Sequence, residues 1–266
     1  MLDQFNRKIN YLRISVTDRC NLRCIYCMPE EGIKLMPDNE IISFEEIYDI
    51  VKKGAEKGIT KVRLTGGEPL IRKGIVNLVK MISEIKGIND LSMTTNAVLL
   101  KDYAQSLYDA GLNRVNISLD TVSPERYREI TRGGDINRVF AGIKAAKKAG
   151  LNPIKINCVI FKNNNNNDAK EVARFCKQND LQIRFIHQMD LKQGEFSVVE
   201  GGEGGNCKNC NRIRLTANGE IRPCLFNDLS FKVKETGIDT AYYKALKEKP
   251  KYGSKSIGGS FYGIGG

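Results

Sequence analysis

Five short β-branched runs among the first 190 residues place a polar side chain at every second position, and this pattern restricts the fold severely. In the first, Arg13, Ser15 and Thr17 interleave with Leu12, Ile14 and Val16; in the second, Lys61, Arg63 and Thr65 interleave with Val62 and Leu64. Ser92, Thr94 and Asn96, then Asn116, Ser118 and Asp120, then Lys155 and Asn157 continue the series. Side chains alternate faces along a strand, so each run has one apolar and one polar face. Strand candidates at 11–17, 60–65, 91–96, 114–120, 154–160 and 182–189 are separated by helical patterns at about 43–57, 74–86, 101–110, 136–149 and 168–179. Ser43-Phe-Glu-Glu46 reads as a capping box, and Gly58 and Gly150 read as helix stops. Such alternation builds a parallel α/β sheet, whose strands would be near-continuous Val/Ile/Leu if both faces were covered. The polar faces instead predict a curled, incompletely closed sheet: a partial (βα)6 TIM-type barrel over residues 1–190 with a solvated lumen.

After residue 190 the pattern changes, which predicts a C-terminal Cys-rich extension over 191–266. Residues 190–206 are rich in Gly and Glu, and 213–226 read as a hairpin turning at Asn218-Gly219. A Lys-rich helical stretch follows at about 239–250, and the chain ends in a Gly-rich tail. The five asparagines 163–167 read as a polar loop without assigned function. Of the 266 residues, 42 are Lys or Arg, 31 are Asp or Glu, and one is His, giving a formal charge of +11. That surplus suggests an anionic partner, and a single His excludes most His-based catalysis. No apolar stretch approaches the roughly 20 residues of a spanning helix, and the first residues carry no apolar signal core. A cytoplasmic, reducing location is expected, so the eight cysteines need a reason other than disulfides.

Cys20, Cys24 and Cys27 form C-x3-C-x2-C directly after the first strand, three thiolates on one loop able to converge on a soft metal centre. Three ligands on a 4Fe–4S cube leave one iron open. Cys207, Cys210 and Cys224 form C-x2-C-x13-C around the hairpin, read as a second three-Cys site, although a zinc ribbon has similar spacing. Cys158 and Cys176 read as core thiols. Thr65-Gly66-Gly67-Glu68-Pro69-Leu70 follows the second strand; its glycines permit close backbone approach, and Glu68 offers an acceptor for an ammonium group.

These stretches resemble the radical S-adenosylmethionine superfamily and, within it, the GTP 3′,8-cyclase family that opens molybdenum-cofactor biosynthesis. The resemblance rests on residues 13–29, 61–70, Thr94-Thr95-Asn96, Ile117-Ser-Leu-Asp120, 207–219 and the terminal Gly-Gly. It implies two 4Fe–4S clusters, with S-adenosylmethionine (AdoMet) at the open iron of the first and guanine at that of the second. Tyr26, Gly67, Glu68, Asn96, Ser118, Lys155 and Met189 would surround AdoMet. Arg13, Lys61, Arg63, Thr65, Arg184, Arg212 and Arg214 would face GTP, with Lys155 also in reach of the triphosphate. Arg212, Arg214, Gly265 and Gly266 carry the family's catalytic positions. In that family a deoxyadenosyl radical takes the 3′ hydrogen of GTP, and the C3′ radical adds to C8 of guanine. The resemblance further implies a flavodoxin- or ferredoxin-type electron donor, a downstream pyranopterin-forming enzyme and a homodimer, with neither membrane nor nucleic acid as partner.

Two departures stand out. Only 17 residues separate Met189 from Cys207, where the family has several tens more. His187-Gln188 stands where the family shows a glutamate before an aromatic, and His187 reads as a structural strand residue. A shortened enzyme of the same superfamily acting on a peptide or another nucleotide, and a basic binding protein with two structural metal sites, are the competing readings.

Overall fold

A computed structural model describes residues 1–161, 167–257 and 261–264. Six strands run parallel: β1 (Tyr11–Ser15), β2 (Lys61–Thr65), β3 (Asp90–Thr95), β4 (Arg114–Ser118), β5 (Lys155–Ile160) and β6 (Gln182–His187). Helices α1 (Phe44–Glu56), α2 (Ile75–Ser83), α3 (Leu100–Asp109), α4 (Pro124–Thr131), α5 (Ile136–Ala149) and α6 (Asn167–Gln178) connect them. Beyond β6 come β7 (Arg212–Leu215), β8 (Glu220–Arg222), β9 (Phe231–Lys232), α7 (Val233–Thr236), α8 (Ile238–Lys247) and α9 (Phe261–Ile264).

The sheet order is β6-β5-β4-β3-β2-β1-β7-β8-β9, so β6 and β9 are free edges and the barrel is open. The extension is not a separate layer. Strand β7 pairs in parallel with β1, aligning Arg13 with Arg214, and then turns antiparallel into β8 at Asn218-Gly219. Residues 190–206 fold back on the β6 edge, where Phe185 bridges Glu200. That contact gives some of the edge's unpaired backbone groups partners.

The period-two reading holds at the level of faces. Leu12, Ile14, Val62, Leu64, Met93, Val115, Ile117 and Ile156 are fully buried in one core with Ile47, Leu78, Leu107, Ile143 and Val172 of the helices. On the opposite face Arg13, Ser15, Arg63, Thr65, Ser92, Asn116 and Arg214 are also buried, so the polar lumen lies within the molecule. Strands β1, β4 and β6 end about two residues before the expected boundaries, because the chain there turns outward into loops. Helix α4 was not expected, although Ser123 caps it through the Arg126 amide and Pro124 opens its first turn. Ser43 and Glu46 form the anticipated capping box on α1, and Gly150, at φ +92°, ends α5. Among the described residues no helix is long and apolar enough to cross a membrane.

Candidate functional site

A cavity of about 730 Å³ is enclosed by the polar face of the sheet and the segment running over β6 into the hairpin. Both cysteine sets line it: Cys20, Cys24 and Cys27 at one end, and Cys207, Cys210 and Cys224 beside β7. All eight cysteines are free thiols, and Cys158 and Cys176 are core residues, as their parity indicated.

The first set sits on the loop leaving β1 at the carboxyl end of the sheet. The Leu22 amide donates to Cys20 Sγ at 3.4 Å, and the amides of Cys27 and Met28 close a turn onto the Cys24 carbonyl. The Gly66-Gly67 backbone lies against this loop. The Gly67 amide donates to the Thr17 carbonyl and the Glu68 amide to that of Arg19, both at 2.8 Å. A Cβ on Gly67 would overlap the Arg19 carbonyl, so glycine is required by the approach of one loop to the other. Asn96 extends the clamp: its Nδ2 donates to Asn21 Oδ1 at 2.7 Å and reaches Cys20 Sγ at 3.8 Å.

Burial drives the ionisation of this end. It pushes Cys20 up to about 11 and Cys27 up to about 12, and it raises Cys24 further, with added repulsion from Asp120 and the neighbouring thiols. Glu68 accepts from the Leu70 amide, the Thr95 hydroxyl and the Asn96 amide, yet burial lifts its carboxyl to about 7. Tyr26 donates its hydroxyl to Asp120 at 2.9 Å, and burial lifts Asp120 to about 6.

An iron–sulfur cluster fits the first cysteine set. The donors are all sulfur, they share one loop, and they face a cavity rather than each other's disulfide. Among the described residues no three His, Cys, Asp or Glu side chains converge tightly enough to hold a single metal ion. Thiolates of a cube each bind a different iron, so they ring a space instead of meeting at a point.

The other end of the cavity is cationic. The strand register puts Arg214, Arg13, Arg63, Ser92 and Arg114 on one row across β7, β1, β2, β3 and β4. Burial first lowers both Arg13 and Arg214, with repulsion from Arg214 added at Arg13 and from Arg212 at Arg214, which is brought to about 10. Lys155 is brought down to about 8 by burial and by Arg184, Arg114 and Arg63, which groups it with the cations. Arg184 donates to the Gly201 carbonyl at 3.3 Å, and Arg212 to the Glu203 carbonyl at 3.0 Å, so the short 190–206 segment aims both. The Tyr11 ring lies 5.4 Å from the Arg63 guanidinium and 5.8 Å from that of Arg212.

Lys61, Thr65, Ser118 and Met189 also line the cavity, although Thr65 donates its hydroxyl to the Ile14 carbonyl. Gly265 and Gly266 lie outside the described residues. Thr94, Asp90 and Arg114 line the cavity too and were not singled out as site residues. Thr94 shares the parity of Ser92 and Asn96, and Arg114 that of Asn116 and Ser118, so the alternation carried the signal. His187 ends β6 at the cavity wall, its Nε2 2.8 Å from Glu200 Oε1.

Residues 14–176 match the Radical SAM superfamily. The GTP 3′,8-cyclase of Thermodesulfovibrio yellowstonii is 45% identical, with 93% of this chain and 91% of that protein covered. The GTP 3′,8-cyclase of Petrotoga mobilis is 41% identical, with 94% of each covered. The first alignment spans 294 positions, whereas 93% of 266 residues is about 247, so roughly 47 positions fall opposite gaps in this chain. Among solved structures, Streptococcus suis SuiB bound to precursor peptide SuiA superposes with a TM-score of 0.67 at 18% identity, covering 94% of this chain and 67% of SuiB. A second, anSMEcpe with bound AdoMet and Cp18Cys peptide, gives 0.64 at 20% identity, covering 91% and 80%. Those two likenesses concern the fold alone. With its sequence matched along most of its length, the chain belongs to the GTP 3′,8-cyclase family of the radical SAM superfamily.

Proposed function

We propose that this protein converts GTP to 3′,8-cyclo-7,8-dihydro-GTP, the first step of molybdenum-cofactor biosynthesis. The observation that carries the reading is one cavity shared by two three-cysteine sets and a row of arginines. A 4Fe–4S cluster on Cys20, Cys24 and Cys27 supplies the electron that cleaves AdoMet. Glu68 accepts from the AdoMet amino group, Gly67 presents the adjoining backbone, and Asn96 and Ser118 border the nucleoside. Tyr26, fixed by Asp120, closes the wall behind the cysteine loop.

The cations serve the triphosphate. Arg13, Lys61, Arg63, Lys155, Arg184, Arg212 and Arg214 supply charge-assisted hydrogen bonds from a site partly shielded from water. A second 4Fe–4S cluster on Cys207, Cys210 and Cys224 holds the guanine. Arg212, Arg214, Gly265 and Gly266 are assigned the catalytic role by the family resemblance. A flavodoxin- or ferredoxin-type donor, a downstream pyranopterin-forming enzyme, a homodimer and a cytoplasmic location complete the reading.

The test is anaerobic incubation of reconstituted protein with AdoMet, GTP and reductant. Cyclised GTP together with 5′-deoxyadenosine is expected. Deoxyadenosine without cyclised product, where a control cyclase works, overturns the substrate assignment. Of the two competing readings, the missing stretch of roughly 47 positions bears on one, a shortened enzyme acting on a peptide or another nucleotide. Failure with GTP alongside turnover of such a substrate decides for it.

A further inference from the structure

Lys249 follows the end of α8 and is 1% exposed. A buried ammonium costs several kcal/mol unless its charge and all its donors are met. Its Nζ donates to the Arg212 carbonyl at 2.8 Å and to the Pro223 carbonyl at 2.5 Å. Arg212 lies two residues after Cys210, and Pro223 immediately precedes Cys224. One side chain therefore ties together both arms of the second cysteine set.

The same Arg212 carbonyl lies 3.9 Å from Cys210 Sγ, so the ammonium stands one hydrogen bond away from a sulfur of the set. Among the described residues no carboxylate stands within ion-pair distance of Lys249. Two carbonyls leave a positive charge without a counter-ion, unless the cysteine set is anionic.

The chain around Lys249 is fixed as well. Gln4 donates to the Lys249 carbonyl at 2.9 Å. Arg7, ion-paired to Asp3, donates to the carbonyls of Cys207 and Pro250, both at 2.7 Å, and of Lys251 at 3.0 Å. Arg7 thus holds the first cysteine of the set while Lys249 holds the other two. The sequence placed Lys249 in a Lys-rich surface stretch, and nothing in its local pattern marks it as buried.

We propose that Lys249 is a positioning residue for the second cysteine set, spanning its Cys210 and Cys224 arms and setting the reduction potential of the cluster held there. A fixed cation beside the ligand-bearing segments stabilises the more negative reduced state, which raises the potential. The inference rests on a 4Fe–4S cluster at Cys207, Cys210 and Cys224.

The experiment uses the full chain with Cys20, Cys24 and Cys27 replaced by Ala, reconstituted anaerobically with iron and sulfide. Lys249, Lys249→Gln and Lys249→Arg forms are compared by iron content and by redox titration followed by electron paramagnetic resonance. About four irons per chain are expected in the Lys249 protein. The midpoint should fall in Lys249→Gln, which keeps donors for the two carbonyls but lacks the charge, and return toward the original in Lys249→Arg. Lys249→Met provides the same comparison should Gln disturb the fold. One midpoint shared by all forms overturns the role of Lys249 and leaves the second cluster standing. Failure of the Lys249 protein to take up iron overturns both.

Discussion

Glu68 accepts three hydrogen bonds, and its carboxyl still sits near 7 instead of about 4.5, because it is almost completely buried. Between those two values the folded chain keeps a proton that the unfolded chain has released. Stability of the ligand-free protein should therefore fall as the pH rises from about 4.5 to about 7, and Glu68→Gln should flatten that slope in urea titrations. AdoMet binding should run the other way, since the N–H groups of its amino end favour the ionised carboxylate. Affinity should rise with pH through about 7 as Glu68 ionises. Glu68→Gln should lose the rising limb and weaken binding by about tenfold to a hundredfold, the worth of a charged hydrogen bond. Calorimetric titration of AdoMet into reconstituted protein across this range reads both effects. A rising limb retained in Glu68→Gln would assign it to another group, with Asp120 next in line. The two cysteine sets separate in the same manner. Cys24→Ala should abolish AdoMet cleavage, whereas Cys210→Ala should retain deoxyadenosine release and lose cyclised GTP, as chromatography of the two products would show.

Helix α1 shows how closely the elements are fitted. A Cβ added at Gly54 would stand 2.5 Å from the Tyr242 hydroxyl of α8, which donates to the Ile50 carbonyl at 2.9 Å. Alanine gains about 1 kcal/mol of helix propensity, but overpacking costs about 1–3 kcal/mol, and losing the buried hydrogen bond costs about 1 kcal/mol more. Gly54→Ala should destabilise by about 1–3 kcal/mol in urea, and adding Tyr242→Phe should recover part of the loss. Sequence alone shows Gly54 as a weak point inside a helix; only the packing of α8 on α1 gives its reason. The alternating strands were legible because one face meets helices and the other a cavity, and both demands are written at period two. Cavity-lining residues at strand interiors, such as Arg13 and Arg63, followed from that same parity, whereas Arg214 was implied by the family resemblance alone. Helix α4 was passed over because its eight residues are mostly polar, despite the Ser123-Pro124 start. Arg114 had the right parity, but no local motif ranked it above its neighbours, and Thr94 stood in a matching motif that gave a role only to Asn96. Lys249 could not be read at all, since its burial depends on Gln4 and Arg7, more than 240 residues away in the chain.

Across the whole molecule, the cation surplus is concentrated where it opposes folding. Arg63, 8% exposed, is lowered by burial and by Arg114, Arg184 and Arg212, and it meets the Ser92 hydroxyl at 3.4 Å and the Tyr11 ring. Buried like charges repel in a medium less polar than water, so the ligand-free protein carries a cost that a polyanion relieves. A ligand that binds only the folded state stabilises it by RT ln(1 + [L]/Kd), and for GTP that increment should depend on these arginines. Arg63→Met keeps the aliphatic volume and removes one charge. Its ligand-free melting temperature should equal or exceed that of the parent, while the rise produced by GTP should shrink. Parallel thermal melts at fixed GTP check both halves, and raised salt should narrow the difference only slightly, because buried charges are poorly screened. A variant that melts lower without ligand and responds fully to GTP would make Arg63 a structural residue. A variant that melts higher and ignores GTP would show the row of arginines to be strained until nucleotide arrives. The formal charge of +11 would then be concentrated, in part, at the cationic end of the cavity that the two cysteine sets share.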